Sequence, residues 1–287
     1  MNKFLPAFIL LLSTFQVKAQ QQERTVFLYN TLFGGVTAGV GATINKEKSE
    51  NWKHAFLRGF WQGSIGGGLS YSGKKMIYLV NSHQNPVYGW PARILYSAGT
   101  SIIENAGLNE PFLQNWSIEY GPARFDFSVN GKKDFRVRFL PFTIYSVIAA
   151  SRNSVFELGT SLKSGDLVFR HKADFIRFGD GLYAGMNYGR AFTYTPNPGK
   201  YFIFAHEMIH SFQYREYQVL NTWLKPLAAK VKPSKTKQFL SKTVYPDLPY
   251  MWGLYYLEGY HSYVNYFRNF FEFEAERFAT NSYVPVR

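Results

Sequence analysis

Apolar and polar residues divide the chain into three zones, of which the first is rich in glycine and poor in charge. This zone runs from about residue 24 to residue 107, and its segments 25–45 and 59–73 contain no charged side chain. Gly35 and Gly39 lie four positions apart, a spacing of small residues that lets two helix backbones approach closely. We therefore predict glycine-packed helices in this zone.

Two interpretations of these helices are open at this point. Glycine, threonine and asparagine dilute their hydrophobicity, and the run 59–73 is shorter than the roughly 20 apolar residues that cross a bilayer. Burial inside the globule or at an interface is therefore favoured. Contact with a membrane is the alternative, because the helices carry so little charge.

The second zone, residues 116–195, alternates between apolar and polar positions, which predicts β-strands. The alternating segments are 117–129, 135–139, 158–169 and 181–195. The dipeptide Asn130-Gly131 between the first two is typical of a tight hairpin turn, and residues 164–166 are a second candidate turn. Such short connections favour an antiparallel sheet.

The third zone, residues 200–287, has mainly helical periodicity, interrupted between Pro226 and Pro249. Together the zones predict an α+β fold with a glycine-rich helical N-terminal part, an antiparallel β-sheet and a helical C-terminal part. The corresponding division of the chain is a glycine-rich region, 20–110, followed by a domain, 111–287.

Composition narrows the classes of protein to which this chain can belong. Hydrophobic residues make up 46% of the chain and aromatic residues 19%, which excludes a wholly disordered polymer. No cysteine is present in the 287 residues. This composition excludes a disulfide scaffold, a cysteine-ligated zinc site, an iron–sulfur cluster and a thiol nucleophile.

The first 19 residues are predicted to be a secretory signal peptide. Lys3 supplies a short basic start, residues 4–15 are mostly apolar, and Val17 and Ala19 occupy the positions that a signal peptidase reads. An apolar stretch of about a dozen residues is too short to span a bilayer. We predict export, and a cysteine-free exported protein fits the bacterial periplasm or outer envelope.

The charge of the chain is strongly basic, at +13, from 32 Lys and Arg against 19 Asp and Glu. Removal of residues 1–19 takes away Lys3 and Lys18 and no acid, which leaves +11. Export argues against nucleic acid as the partner of this charge. Residues 225–242 hold six lysines and no acid. They form either a solvated basic helix and loop, which is favoured, or a patch that contacts anionic envelope lipid.

The pentapeptide HEMIH at 206–210 combines two histidines and a glutamate on one predicted helix. Residues four apart lie one above the other on a helix, so His206 and His210 aim at one point, as two nitrogen ligands of tetrahedral Zn²⁺ do. Glu207 is placed to take a proton from a zinc-bound water and return it to a leaving amine. The helix is apolar on most sides, so these polar groups need buried partners. A metal supplies such partners, and backbone groups or carboxylates are the alternative.

A third metal ligand must come from another part of the chain. An extended HExxHxxGxxH motif would need glycine at 213 and histidine at 216, where this chain has Gln213 and Glu216. Glu216 is six residues past His210, about 600° of helix rotation, and therefore faces away. The remaining source is a carboxylate from a later helix.

A phenylalanine-rich segment near the C-terminus contains the candidate carboxylates. Glu272 and Glu276 are four apart and share a helix face, with Ala275 leaving space beside them. Glu272 can ligate the metal while Glu276 accepts the other N–H of a liganding imidazole. The alternative is an exposed acidic face paired with Arg268 and Arg277, although the surrounding phenylalanines argue against full exposure.

The two motifs together, HEMIH at 206–210 and EFEAE at 272–276, resemble the gluzincin metallopeptidases, whose pattern is HExxH followed by ExxA(D/E). The resemblance covers about residues 181–279. It implies an antiparallel edge strand before the active-site helix, for which residues 184–195 are the candidate. The roles that it implies are zinc ligands His206, His210 and Glu272, general base Glu207 and supporting acid Glu276.

The resemblance implies a zinc-dependent metallopeptidase that hydrolyses bonds in a peptide or protein substrate, and the predicted signal peptide makes it an exported one. The rival expectation is a non-catalytic cell-envelope protein whose zincin-like fold acts as a binding or structural module. The intact Glu207 favours the enzyme, because a purely structural zinc site does not require that carboxylate. Tyr194, Tyr260 and His261 are weak candidates for stabilising the transition state, and each is expected to serve packing or the surface instead.

Overall fold

The structure is a computed structural model that describes residues 22–129, 134–179, 181–196, 199–230, 232, 234–259 and 269–280. The predicted signal segment 1–19, the turn at Asn130-Gly131, and the residues Tyr260 and His261 lie outside this part of the chain. Export therefore stays a prediction.

The N-terminal part consists of helices joined by short turns. They are α1 (Gln22–Asn45), α2 (Trp52–Met76), α3 (Tyr78–Ser82), a 3₁₀ turn (Pro86–Tyr88) and α4 (Gly89–Gly107). The Asn51 side chain caps α2 by accepting a hydrogen bond from the backbone amide of Lys53. Asn85 caps the 3₁₀ turn in the same way, so each of these starts is set by a local side-chain contact.

Glycines are the contact points of α1, α2 and α4. A Cβ added to Gly67 of α2 would lie 2.2 Å from the carbonyl oxygen of Asn30 in α1. A Cβ added to Gly99 of α4 would lie 2.4 Å from the carbonyl oxygen of Gly66 in α2. These separations are well inside van der Waals contact, so only glycine lets the backbones lie this close. The prediction of glycine-packed helices is confirmed.

The glycine pair singled out in the sequence belongs to the α1–α2 contact. A Cβ added to Gly35 would lie 2.3 Å from the Ser64 hydroxyl, and one added to Gly39 would lie 2.9 Å from the ring of Phe56. Both glycines therefore face α2. Within the described part of the chain, no helix has the combined length and apolarity needed to cross a membrane.

The middle of the chain forms small sheets with short helices between the strands. Its elements are β1 (Asn115–Tyr120), β2 (Ala123–Ser128), β3 (Phe135–Phe139), α5 (Phe142–Ala150), β4 (Ser154–Phe156), α6 (Leu158–Ser164), β5 (Leu167–His171), β6 (Ile176–Phe178), β7 (Gly181–Tyr183), β8 (Gly185–Asn187) and β9 (Ala191–Tyr194). Strands β1, β2 and β3 are antiparallel neighbours, and β6 pairs with β7. The remaining sheet has the order β4-β5-β9-β8, in which β5 and β9 are parallel and the other pairs antiparallel.

The segment 158–169 differs from its predicted β-pattern. Residues 158–164 form the short helix α6, and only the end of the segment enters strand β5. Leu158 and Leu162 are four residues apart, a spacing that fits one helical turn as well as two strand alternations. Gly165 ends the helix at φ 77°, a left-handed conformation that glycine adopts without strain.

The C-terminal part is helical and is arranged around one central helix, α7. Its elements are α7 (Lys200–Glu216), a 3₁₀ segment (Tyr217–Leu224), α8 (Lys225–Lys230), α9 (Lys235–Thr243), α10 (Tyr250–Gly259) and α11 (Phe270–Thr280). Met208, Ile209 and Phe212 of α7 are fully buried. This combination of helices with mainly antiparallel strands confirms the predicted α+β fold.

The N-terminal and C-terminal helices share one hydrophobic core. The rings of Tyr29 in α1 and Phe270 in α11 have centroids 4.0 Å apart. Tyr96 of α4 stacks on Phe212 of α7 with centroids 4.5 Å apart, and its hydroxyl donates to the Phe212 carbonyl oxygen. The glycine-rich helices therefore support α7 and α11 directly.

Gly67 and Gly68 are neighbours on α2 with different surroundings, and we expect them to respond differently to alanine. An added Cβ at Gly67 collides with the Asn30 carbonyl, so Gly67→Ala should lower the free energy of unfolding by about 1–3 kcal/mol. An added Cβ at Gly68 has nothing within 4 Å, so Gly68→Ala should be neutral or raise that free energy by up to about 1 kcal/mol. Denaturant melts of the two variants measure the difference, and equal effects would contradict glycine-mediated packing.

Candidate metal centre

Helix α7 places the histidines and the glutamate of the HEMIH motif in the interior. It begins after Gly199, whose φ of 88° turns the chain into the helix, and every residue from 203 to 216 is buried. One turn separates His206 from His210, and their Nε2 atoms lie 3.1 Å apart. Both imidazoles therefore point at the same place, as their spacing predicted.

Glu272 of α11 completes a group of three potential ligands. Its Oε2 atom lies 3.2 Å from Nε2 of His206 and 3.3 Å from Nε2 of His210. Ligand atoms bound at about 2.0–2.1 Å in a tetrahedron are about 3.3 Å apart, so the spacing of this triangle fits a four-coordinate metal. Within the described residues these three side chains are a group that could hold a metal ion.

Each of the three side chains has a further polar group close to its second polar atom. Oε1 of Glu272 accepts a hydrogen bond of 2.7 Å from the hydroxyl of Tyr255 in α10. Nδ1 of His210 lies 2.8 Å from Oε1 of Gln213, and Nδ1 of His206 lies 3.5 Å from Oε2 of Glu276. Outer contacts of this kind orient metal ligands in known sites, and here they leave the Nε2 atoms of both histidines directed at the candidate metal position.

Glu276 thus lies where the sequence placed it, beside a histidine of the pair. The alternative of an exposed acidic face does not describe Glu272, which is only 6% exposed. Arg277, which that alternative paired with the acids, forms an ion pair of 2.6 Å with Glu23 of α1. Arg268 lies outside the described residues.

A buried charge cluster lies directly behind the histidines. Nε2 of Gln213 donates to Oε2 of Glu274 at 2.9 Å, which ties the amide beside His210 to helix α11. Glu274 in turn lies 3.1 Å from the ammonium of Lys74 in α2, which also pairs with Glu216 at 2.6 Å. Glu216 therefore faces away from the histidines, as its position on the helix predicted.

Lys74 is fully buried, and its charge is held by these carboxylates. Burial alone lowers the pKa of Lys74, but the charges of Glu216 and Glu274 outweigh it and raise that pKa above its ordinary value. Asn30 of α1 contributes a further contact, because its Oδ1 accepts from the Lys74 ammonium at 2.9 Å. The cluster connects the glycine-packed helices to the helices that carry the candidate ligands.

The histidines and Glu272 also determine one another's charge. Burial alone raises the pKa of Glu272, yet the neighbouring His210 and His206 bring it well below its ordinary value. Burial alone lowers the pKa of His206, but hydrogen bonds to Glu272 and Glu276 raise it to about 10. Glu272 is therefore an anion in this site, which is the state in which a carboxylate binds a metal.

Glu207 lies on the side of α7 that faces strand β8. A Cβ added to Gly185 of β8 would lie 2.4 Å from Oε1 of Glu207, so the glycine makes room for this carboxylate. Asn187 of the same strand donates to the Glu207 carbonyl oxygen at 2.8 Å and to the Ser211 hydroxyl at 2.9 Å, which fixes β8 against α7.

The Glu207 carboxylate is available for proton transfer. Its Oε2 atom is buried and has no hydrogen-bond partner among the described residues. Burial raises the pKa of Glu207 to about 7, against the opposing attraction of His206 and His210. A carboxylate with a pKa near neutrality can accept a proton and give it back.

Two residues of the site were not assigned from the sequence, namely Gln213 and Tyr255. The position of Gln213, three residues after His210 on one helix, is a signal that could have identified it as a partner of that imidazole. Tyr255 had no such signal, because its contact with Glu272 depends on how α10 packs.

Tyr194, a weak candidate from the sequence, lies outside the site contacts described above, and its hydroxyl donates a hydrogen bond to Glu157 at 2.9 Å. The packing role that we expected for Tyr194 agrees with this contact.

Comparison with protein-family models, curated protein sequences and solved structures finds no match for this chain. A function for the site is therefore inferred from its own side chains.

Glu272 and Glu274 lie on opposite sides of α11, and substitution by glutamine should affect different properties. Glu272→Gln removes a carboxylate from the triangle and should weaken Zn²⁺ binding by more than the roughly 10- to 100-fold typical of losing an outer partner. Among the described residues, the Glu274 carboxylate accepts hydrogen bonds from the ammonium of Lys74 and from the side-chain amides of Asn30 and Gln213. Glu274→Gln places an amide N–H against them and should cost about 1–3 kcal/mol of stability while Zn²⁺ binding persists.

Zn²⁺ titration and thermal melting of both variants test this separation. Loss of metal binding in Glu274→Gln at a temperature where that variant is folded would count against the assigned ligand set. Retention of wild-type affinity in Glu272→Gln would do so as well.

Gln213 and Gln218 offer a second matched pair, because both are buried glutamines that use both ends of the amide. Gln213→Leu removes the acceptor beside Nδ1 of His210 and should weaken Zn²⁺ binding by about 10- to 100-fold. Gln218 bonds instead to the backbone of Leu248, so Gln218→Leu should destabilise the fold without changing metal affinity. Competition with a chromophoric chelator measures both affinities. Equal metal affinities of the two variants would show that Gln213 does not orient His210.

Proposed function

We propose that this chain is a zinc-dependent metallopeptidase of the gluzincin type. The observation that carries the proposal is the position of Glu207. This carboxylate is buried next to the triangle of His206, His210 and Glu272, and its Oε2 atom has no hydrogen-bond partner among the described residues. A metal site with only a structural role has no use for such a group, because burying a carboxylate oxygen that lacks a hydrogen-bond partner is costly.

The donor set supports zinc as the metal. Two imidazole nitrogens and one carboxylate oxygen with tetrahedral spacing are ligands that zinc accepts, and three protein ligands leave the fourth position open for chemistry. When bound, zinc supplies a Lewis acid that polarises a carbonyl and acidifies a water molecule. The hydrogen bonds of Tyr255 to Glu272 and of Gln213 with His210, and the carboxylate of Glu276 beside Nδ1 of His206, support the orientation that this binding requires.

Glu207 carries the proton transfers in this proposal. As a carboxylate it takes a proton from the water whose oxygen bonds to the carbonyl carbon, and it delivers that proton to the amide nitrogen as the C–N bond breaks, so that the leaving group departs as a neutral amine. Its pKa of about 7, raised by burial, suits both directions of transfer at neutral pH. Asn187 supports this role by holding the backbone of Glu207 against β8.

Strand β8 supports a peptide as the substrate class. It is the terminal strand in the order β4-β5-β9-β8, and it lies beside Glu207. An extended peptide can add to such an edge through backbone hydrogen bonds, which would present its carbonyl groups to the site. This strand falls within residues 184–195, the segment considered as the edge strand.

The test is hydrolysis of a fluorescently labelled unfolded protein by the zinc-loaded chain. Glu207→Gln keeps the three ligands, so it should retain stoichiometric zinc and lower the rate of cleavage by about 10²- to 10⁴-fold. Glu47→Gln, which changes an exposed glutamate on the connection after α1, is the matched control and should cleave at the wild-type rate.

Three results would overturn the proposal. The first is failure of the wild-type chain to bind stoichiometric zinc. The second is an equal rate of cleavage by wild type and Glu207→Gln. The third is a zinc-loaded wild-type chain that cleaves no unfolded protein, which would favour the binding or structural module instead.

A further inference from the structure

The segment of residues 225–242, called the lysine segment below, carries positive charge that no acid within it balances. Its lysines are at 225, 230, 232, 235, 237 and 242. The nearest acids in sequence on either side are Glu216 and Asp247, and both are buried. Glu216 pairs with Lys74 and Asp247 with Arg190, so neither is free to neutralise the segment.

Helix α9 within this segment is a formed element on the protein surface. The Ser234 side chain caps its start by accepting from the backbone amide of Lys237 at 3.0 Å. No residue of α9 is buried. Just beyond its C-terminal end, the amide of Tyr245 donates to the carbonyl oxygen of Phe139 at 3.0 Å, which ties this end to strand β3.

The outward side of α9 combines apolar and cationic side chains. Phe239 is 65% exposed, and Leu240 beside it is also exposed. Lys235 lies four residues before Phe239 and Lys242 three residues after it, so both lysines share its helix face. The aromatic ring is therefore bracketed by ammonium groups on long flexible stems.

Strand β3, to which α9 is tied, also exposes apolar side chains. Phe135, Val137 and Phe139 alternate along the strand, and all are exposed. Phe127 of β2 pairs with Phe135 and is exposed as well, with ring centroids 5.1 Å apart. Exposed apolar groups in such numbers mark a surface that meets a partner.

We infer that the lysine segment docks on the surface of an anionic phospholipid bilayer. A bilayer presents an anionic headgroup layer and an apolar layer within one side-chain length, and α9 offers the matching pair of groups. Lys235 and Lys242 meet lipid phosphates while Phe239 and Leu240 enter the acyl boundary. A second copy of this chain is disfavoured on this face, because it would bring two sets of lysines together. Docking of this kind does not depend on the proposed zinc chemistry.

Sedimentation of the full chain with lipid vesicles tests this inference. Binding is expected to vesicles of equal parts phosphatidylglycerol and phosphatidylcholine, to fall as salt is added, and to be nearly absent with phosphatidylcholine alone. The double substitution Lys235→Gln with Lys242→Gln should weaken binding roughly 30-fold at low salt. Phe239→Ser with Leu240→Ser should abolish it, and neither pair removes a buried side chain.

Matched controls carry the same chemical changes on other surfaces. Trp61→Ser with Ile65→Ser removes two exposed apolar residues of α2, and Lys163→Gln with Lys172→Gln removes two exposed lysines. Both controls should bind vesicles as the wild type does.

Three outcomes would overturn the inference. One is no binding of the wild type to anionic vesicles at low salt. Another is equal loss of binding in the controls. The last is a dimer in light scattering that Phe239→Ser with Leu240→Ser converts to a monomer, because that would show a second copy covering the surface.

Discussion

The charge of Lys74 in the interior is the constraint on which the arrangement of helices depends. An unpaired ammonium at this depth would cost several kcal/mol, so the fold must keep carboxylates against it. Those carboxylates come from Glu216 on α7 and Glu274 on α11, the two helices that also carry the candidate metal ligands. Gln213 connects the cluster to His210, and the packing of α2 and the geometry of the site are thereby coupled.

Glycine makes this arrangement sterically feasible. Gly67 lets α2 lie against the backbone of Asn30, and the side chain of Asn30 bonds both Lys74 and Glu274. The backbone contact and the charge cluster therefore meet at one residue of α1. A helix pair held further apart would separate Asn30 from Lys74, because hydrogen bonds weaken steeply beyond about 3.5 Å. The low charge and high glycine content of the first zone thus have a structural explanation inside the protein.

Peptide hydrolysis and lipid docking, the two proposed activities, involve different parts of the molecule. Charged side chains are buried at the first and exposed at the second. At the candidate metal centre, charged groups are buried, and one oxygen of Glu207 has no hydrogen-bond partner among the described residues. In the lysine segment Lys235 and Lys242 are exposed, and they flank Phe239 on one face of α9. A peptidase held at a lipid surface would encounter substrates in two dimensions, and docking through α9 leaves the ligand helices α7 and α11 unaltered.

Helical periodicity by itself determined which residues share a face. It placed His206 with His210 and Glu272 with Glu276, turned Glu216 away, and identified the glycines through which α1 meets α2. It could not separate helix from strand in residues 158–164, where so short a run fits both periods. Only the tertiary structure decided that α11 lies against α7, so that Glu272 approaches His206 across 66 residues of chain. The partners Tyr255 and Lys74 also emerged only there, because sequence spacing encodes directions within one element and contacts between elements arise from packing.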